Sequence, residues 1–580
     1  MKQIISTLLQ QAIVELYDIE LSQLQLDTPP DKNLWDIAFG CFVLAKQLKQ
    51  SPMVIASQLA EACQNIVEFS QVMATGPYLN ISLSDRVFVS SLEQMRAAEQ
   101  STHHWKTIVV DYIGANVGKP LHIGHMCTPN QGQVMINVYK KLWYNVISDS
   151  HIWDWGIIFW KLITAYKKWG DPKKLEINAV DHLFELYVQV STQAKQDESL
   201  DAEFRKEFKS LVQGENQSID LWSLFTRHSI DAMNHQLARM NIQPDYDIGE
   251  SFYEGIGLPK MWDYPDLQYS MSSIVDELIA ASIATKNEDH SVGVVFADDS
   301  KLPSCILQKR DGWHGYLASD LASVKYRVQN WAPEKIIYFV DVRQQLHLKQ
   351  VFEVSQQAWW TWDTKLIHAH NGFISLKDGA MSTREGRIIR LEALLDESAL
   401  RAKKLILTKR SDLSDEQLTE LSKTIWIGAI KYGYLKKSRE SDIIFDWDEF
   451  MSFEGNSGPY LQYACVRAHN ILKKADFSMT DIPLSPSPHG AIDTSEKELI
   501  QLLSDYENCL IEVADKNMPH ILCSYLYDLT KAFSSMYTQV HILWETDELL
   551  REIRLHIVAV FYRTLKDGLA LLAIEVPEKM

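Results

Sequence analysis

The sequence predicts an α/β fold in which a Rossmann-like parallel-sheet domain follows a small α/β N-terminal module and precedes a long α-helical region. Three observations predict it. Short apolar runs recur through the middle of the chain with helical segments between several of them, which implies strands wound by crossovers. A Gly/Pro-bearing loop joins one such run to a helix start. After Leu391 the strand signal fades and long amphipathic helical patterns run to Met580. At 580 residues the chain exceeds a single hydrophobic core, so several domains are expected.

In chain order, residues 1–100 combine helical stretches, Ile4 to Leu26 and Ser51 to Cys63, with extended pieces such as Tyr78 to Leu83. Residues 101–395 hold the parallel-sheet domain. Its first strand is Thr107 to Tyr112, its loop 113–121, and its first helix His122 to Leu142. Further strand-like runs lie at Asn145 to Ile152, Val292 to Phe296, Cys305 to Gln308, Lys335 to Val342 and Lys365 to Ile374. The charged, mostly helical stretch of about 160–275 interrupts that rhythm and reads as an insertion. Residues 396–450 form a helical connection and 451–580 a helical domain, with the Ser/Pro-rich stretch Asp481 to Gly490 as its clearest loop.

Composition narrows the function classes. A hydrophobic fraction of 46% with 17 tryptophans describes a folded globular chain, not a disordered one. The seven cysteines form no C-x-x-C pair, so neither a zinc ribbon nor a disulfide framework is expected, no structural metal is indicated, and a reducing cytoplasm is the simplest home. No signal-peptide core is present at the N-terminus, and no apolar run approaches the ~20 residues that span a bilayer. The net charge of −19 argues against a uniformly basic nucleic-acid binder, although folded RNA needs only local basic and aromatic surface. Basic doublets such as Lys167-Lys168, Lys173-Lys174 and Lys436-Lys437 read more simply as solvated helix faces.

The chemistry concentrates at Pro120-Leu121-His122-Ile123-Gly124-His125. A glycine at the helix entrance lets a nucleotide approach the backbone, and the free N–H groups and dipole of a first helical turn favour an anionic phosphate. Two imidazoles three residues apart can both donate to the same phosphate oxygens. The motif therefore points to adenylate-forming nucleotide chemistry, although a short string of this kind is by itself a hypothesis.

Several segments in order carry a resemblance: Asp111 to His125 (DYIGANVGKPLHIGH), Asp154-Trp155-Gly156, Glu250 to Tyr253 (ESFY), Tyr316 to Asp320 (YLASD), Met381 to Gly386 (MSTREG) and Gly455 to Tyr463 (GNSGPYLQY). With the ending LLAIEVPEKM, this series resembles the arginyl-tRNA synthetases of class I. The resemblance implies that L-arginine is activated by ATP, with Mg2+, and transferred to tRNA-Arg, by a monomeric enzyme whose activation step requires bound tRNA. Lys119, His122 and His125 are then the catalytic residues, and Gly124, Met381, Ser382 and Arg384 bind ATP. The chain departs from the class I Lys-Met-Ser-Lys loop, where it has Ala380, Met381, Ser382 and Thr383; Glu385 replaces a further cation, and Arg384 alone is left. Lys119 fits the lysine that substitutes in this family.

The same resemblance implies Asp111, Tyr316 and Asp320 around the guanidinium, with Asn116 and Gln344 at the α-amino group. Five N–H donors in a rigid fork match carboxylates and a phenol oxygen. A helix cap for Asp320 and a core aromatic for Tyr316 are the simpler uses of those residue types. Where many relatives have serines this chain has Ile113 and Gly114. The helical 451–580 region becomes an anticodon-binding domain with Tyr460, Tyr463, Tyr537 and Trp544 as base platforms, and the N-terminal module a tRNA-elbow-binding domain. At helical spacing, Tyr460 and Tyr463 serve equally well as packing. Two other readings stay open: a nucleotidylyltransferase with the His-x-Gly-His motif, and an RNA-binding paralogue that has lost catalysis.

Overall fold

Four strands form a parallel sheet in the spatial order Lys365–His368, Lys335–Tyr338, Thr107–Asp111, Asn145–Asp149. The chain runs outward from the third position to the fourth, then crosses back to the second and first. That reversal creates a crevice at the carboxyl ends of Thr107–Asp111 and Lys335–Tyr338, where α/β sheets of this kind bind ligands. Register sets His368, Tyr338, Asp111 and Asp149 in one row along that edge. Both sheet faces are covered, which is why these strands read as continuous apolar runs. Ile108 and Val110 join the core that includes helix Cys127–Lys141, whereas Val109 joins the core of helices Tyr316–Trp331 and Gln345–Gln357.

This is a computed structural model, and it describes all residues except 22–23, 28, 30–34, 98–104, 255–263, 377–378, 381–388, 409, 411, 451, 453–454 and 479–490. The expected loop Asp481 to Gly490 and the expected ATP ligands Met381, Ser382 and Arg384 lie outside the described residues.

Several sequence expectations are corrected. Val292–Val294 and Cys305–Gln308 do not enter the parallel sheet; with Thr285–Lys286 they make a separate antiparallel one. The run from Lys365 is two strands. The first ends at His368, and Ile374–Leu376 pairs instead with Gly379–Ala380 and with Ile443–Phe445, a strand in a region that reads as purely helical. Burial of an apolar run shows that it lies inside, but not which sheet it joins. The first helix of the domain begins as a 3-10 turn, Ile123–Met126, before the α-helix Cys127–Lys141. The N-terminal helix stops at Tyr17, where Asp18 turns left-handed at φ 55.

The N-terminal module packs helices Lys2–Tyr17 and Pro52–Cys63 on a four-stranded antiparallel sheet. Lys497 and Gln501 of helix Thr494–Ser504 reach it through Asp85 at 2.8 Å and Asp36 at 2.8 Å. The insertion is helical as expected, with Ile157–Trp169, Ala179–Gln193, Ser199–Val212 and Asn216–Ala238 among its helices. Its Trp160 and Phe208 pack on Trp313 with ring centres 4.8 and 4.6 Å away.

The C-terminal helices, Gly458–Lys474 through Glu548–Leu571, dock on helix Cys127–Lys141. There the Tyr139 hydroxyl donates to the Ala514 carbonyl at 2.8 Å. Basic doublets carry acidic partners, Lys167 with Glu207, Lys168 with Glu203, and Lys436 and Lys437 with Glu449, as solvated faces do. All seven cysteines are free. Among the described residues no helix is long and apolar enough to cross a membrane.

Candidate active site

The histidine turn caps itself. His122 Nδ1 accepts from the Gly124 N–H at 3.1 Å, and His125 Nδ1 accepts from the His122 N–H at 3.0 Å, closing a reciprocal capping box around the turn. Gly124 is required here for a reason beyond ligand approach: a Cβ would stand 2.8 Å from His122 Cε1. An imidazole that accepts at Nδ1 carries its proton at Nε2. Burial lowers the pKa of His125 to about 3, and burial with the nearby charges of Arg343 and Lys119 lowers that of His122. Both rings are therefore neutral Nε2–H donors at pH 7, with centres 4.1 Å apart.

The loop before the turn is held from two sides. Asn116 pairs with Trp153 beyond the edge strand, and Gly118, at φ 74, donates its N–H to Ser229 Oγ of the insertion at 3.1 Å. Lys119 is half-buried, with its ammonium 4.7 Å from the Tyr187 ring centre. Residues Ile389 to Leu391 are stitched to the histidine turn. The Ile123 N–H donates to the Ile389 carbonyl at 3.0 Å, and the Leu391 N–H to the Leu121 carbonyl at 2.9 Å.

Across the crevice lies a charged cluster. Asp320 sits one turn inside helix Tyr316–Trp331, whose N-cap is Gly315, so the capping alternative is excluded. Its carboxylate accepts from His347 and lies 3.4 Å from His151 Nε2. Burial alone would raise the Asp320 pKa, but the adjacent His151 and the hydrogen-bonded His347 hold it well below the carboxylate range. The nearby Asp320 carboxylate overrides burial at His151 and raises its pKa to about 9. Tyr316, four residues earlier on the same face, is 65% exposed and is not a core aromatic.

Asp111 reaches the crevice as expected, but its Oδ2 is engaged: Arg327, fully buried, donates from Nη2 to Asp111 at 2.8 Å and to Asp149 at 2.6 Å. Gln344 closes the 3-10 turn Val342–Gln344 that follows strand Lys335–Tyr338 and is half-buried.

Glu250 is the residue that sequence reasoning passes over. It is 5% exposed, its Oε1 accepts from the Ser319 hydroxyl at 3.4 Å, and its charge, after burial, raises the Tyr316 pKa. Burial lifts the Glu250 pKa to about 8, so without a ligand its carboxyl holds a proton at neutral pH. The residue is placed by Asp154, which accepts from the Ser251 N–H at 2.9 Å and the Ser251 hydroxyl at 2.6 Å. The ESFY string contains this glutamate, but no local signal shows that its neighbours are Tyr316 and Ser319.

In the helical domain, Tyr463, Tyr537 and Trp544 line one groove of about 430 Å³ together with Arg467. The Arg467 guanidinium lies 4.6 and 5.1 Å from the two tyrosine ring centres, and Trp544 is 84% exposed. Tyr460 faces elsewhere. It is half-buried against Tyr527, with its hydroxyl 3.3 Å from Ser534 Oγ, and packs two helices together, the packing use that its helical spacing allows.

With this geometry in view, comparison with known proteins is specific. Residues 88–447 match the model "tRNA synthetases class I (R), catalytic domain", residues 461–580 the "DALR anticodon binding domain", and residues 3–83 the "Arginyl tRNA synthetase N terminal domain". An arginine–tRNA ligase of Clostridium botulinum is 34% identical over 97% of each chain, and one of Clostridium perfringens 34% identical over 99% of each. The fold matches the arginyl-tRNA synthetase of Plasmodium falciparum with a TM-score of 0.80 at 20% identity, covering 100% of this chain and 99% of that one. The Thermus thermophilus enzyme gives 0.78 at 22% identity, covering 100% of both.

Proposed function

The chain belongs to the arginyl-tRNA synthetases, and from that premise we propose how its residues divide the work of an arginine–tRNA ligase. It joins arginine to tRNA-Arg in two displacements. The arginine carboxylate oxygen attacks the ATP α-phosphorus and pyrophosphate departs. A ribose hydroxyl of the terminal adenosine then attacks the acyl carbonyl and AMP departs. Neither step needs a protein nucleophile, so the chain supplies position and charge.

His122 and His125 donate from Nε2–H to the oxygens of the α-phosphate. Their Nδ1 atoms are fixed by backbone N–H groups, so the donors keep their direction and tautomer while charge builds. Lys119 adds a full positive charge, and Gly124, Met381, Ser382 and Arg384 complete the ATP site. Mg2+ would enter with ATP as the companion of the triphosphate and would supply charge neutralisation at the phosphates beside Lys119 and the histidine turn.

Tyr316, Asp320 and Glu250 receive the guanidinium, while Asn116 and Gln344 take the α-amino end and Asp111, anchored by Arg327, adds negative charge from below. Tyr463, Tyr537 and Trp544 stack anticodon bases. The protein acts as a monomer, and its seven free thiols suit the cytoplasm.

The observation that carries the arginine assignment is the Asp320 carboxylate, held ionised by two histidines one turn from Tyr316. Substitution separates the two halves of the site. His125→Ala should lower kcat by about 10²- to 10³-fold, as loss of one preorganised donor does, with the arginine KM little changed. Tyr316→Phe should raise the arginine KM with kcat nearly intact. The reverse pattern would exchange the roles of the two sides of the crevice.

A further inference from the structure

Besides the Gly118–Ser229 contact, the helical insertion meets the nucleotide turn through helix Ala179–Gln193. Ala179–Gln193 carries Asp181, Phe184 and Tyr187 at three-residue spacing, on adjoining parts of one face. Each meets a cation that flanks the histidine turn. The Lys119 ammonium lies 4.7 Å from the Tyr187 ring centre. The Arg390 guanidinium is ion-paired with Asp181 and lies 6.0 Å from the Phe184 ring centre. Lys119 precedes His122 by three residues, and Arg390 forms a backbone bridge with His122 itself.

We propose that helix Ala179–Gln193 is a positioning element of the ATP site: Tyr187 holds Lys119 ready for the phosphates, and Asp181 with Phe184 fixes Arg390, which bridges to His122 of the histidine turn. This rests on the reading of Lys119 as a phosphate ligand.

The chemistry favours an aromatic for this task. A carboxylate beside Lys119 would cancel the charge that the triphosphate needs, whereas a ring face attracts the ammonium through its quadrupole and leaves the charge whole. A lysine on a flexible four-carbon stem otherwise loses much freedom on gripping a phosphate, and a ring that holds it beforehand lessens that loss. The need is greater in this chain. Ala380 and Thr383 stand where class I loops carry lysines, so Lys119 has less help. Arg390 is fixed by different means because it acts through the backbone: its ion pair with Asp181 anchors the residue that bridges to His122 and caps helix Leu391–Leu407.

The test is a double-mutant cycle on arginylation of tRNA-Arg by the full chain, with ATP and arginine varied separately. Tyr187→Leu should raise the ATP KM or lower kcat by about 5-fold, the scale of one cation–π contact, with the arginine KM unchanged. Tyr187→Phe, which keeps the ring, should restore wild-type values. In a Lys119→Ala background Tyr187→Leu should cost nothing further, because the group it positions is gone. An additive loss in that background, or equal defects in the Leu and Phe variants, would overturn the proposal. If Lys119→Ala alone left activity intact, the reading of Lys119 itself would fail, and that arm tells the two failures apart. Asp181→Asn gives an independent measure should Tyr187→Leu not fold: it should weaken ATP use and spare arginine, and an unchanged ATP KM and kcat would remove Asp181 and Arg390 from the proposal.

Discussion

Replacing Asp320 by Asn tests the arginine pocket with little change of shape. In the native pocket the carboxylate faces two imidazoles, His347 in hydrogen-bond contact and His151 at 3.4 Å, and stays ionised although partly buried. The asparagine keeps the volume and one acceptor but removes the charge. What the guanidinium loses is the charge-assisted part of a hydrogen bond, about 1.5 to 3 kcal/mol. That corresponds to a rise in arginine KM of roughly 10- to 150-fold. Because the contact is made in ground and transition states alike, kcat should fall much less than kcat/KM. Steady-state arginylation at saturating ATP and tRNA measures both constants, and a melting curve verifies that the variant is folded. An arginine KM within 2-fold of wild type in a folded variant would refute the reasoning and leave Asp320 as an anchor for two histidines.

Further predictions follow from the same geometry. His151 holds its proton to about 9 in the folded chain against an ordinary 6.5, so the stability it contributes is complete below about 6.5 and is lost as pH rises toward 9. That contribution is roughly 3 kcal/mol at most, and wild-type Tm should therefore fall more steeply than that of Asp320→Asn between pH 7 and 9. Glu250, protonated at pH 7 in the empty pocket, should ionise when a guanidinium enters. Titration calorimetry in buffers of different ionisation enthalpy should then show close to one proton released per arginine at pH 7 and little release above pH 9. Gly124→Ala puts a Cβ 2.8 Å from the His122 ring, which must swing out of its capping bond; kcat should drop by about 10²-fold while Tm changes little. Tyr463→Ala and Tyr537→Ala should each raise the tRNA KM by the loss of one stacked base, about 1 to 3 kcal/mol, without affecting the arginine KM.

Local patterns were legible in the sequence, and long-range choices were not. The strand-loop-helix unit around His122 could be placed because its signals, an apolar run, Gly118, Pro120 and Gly124, lie within a few residues of one another. Val292–Val294 and Cys305–Gln308 were recognisable as strands, yet their pairing in a separate antiparallel sheet depends on partners that periodicity does not identify. The helix of Tyr316 and Asp320 could be predicted, whereas the histidines that hold Asp320 ionised come from distant parts of the chain, His347 from the neighbouring helix Gln345–Gln357 and His151 from just beyond strand Asn145–Asp149. Arg327 shows the same limit. It reads as one more helix cation, and only the fold reveals that it is buried between Asp111 and Asp149. Tyr460 and Tyr463 share a motif, but their directions diverge because only one of them meets Tyr527 across the helix pair.

The central claim is that this crevice activates arginine and delivers it to tRNA-Arg. Purified protein incubated with ATP, homologous tRNA and each of the twenty amino acids in turn tests it most directly. Arginine alone should be charged, and lysine, which lacks the guanidinium fork, should fall at least about 10²-fold behind in kcat/KM. Charging of a different amino acid, or no charging by a folded protein that still binds ATP and tRNA, would contradict the account.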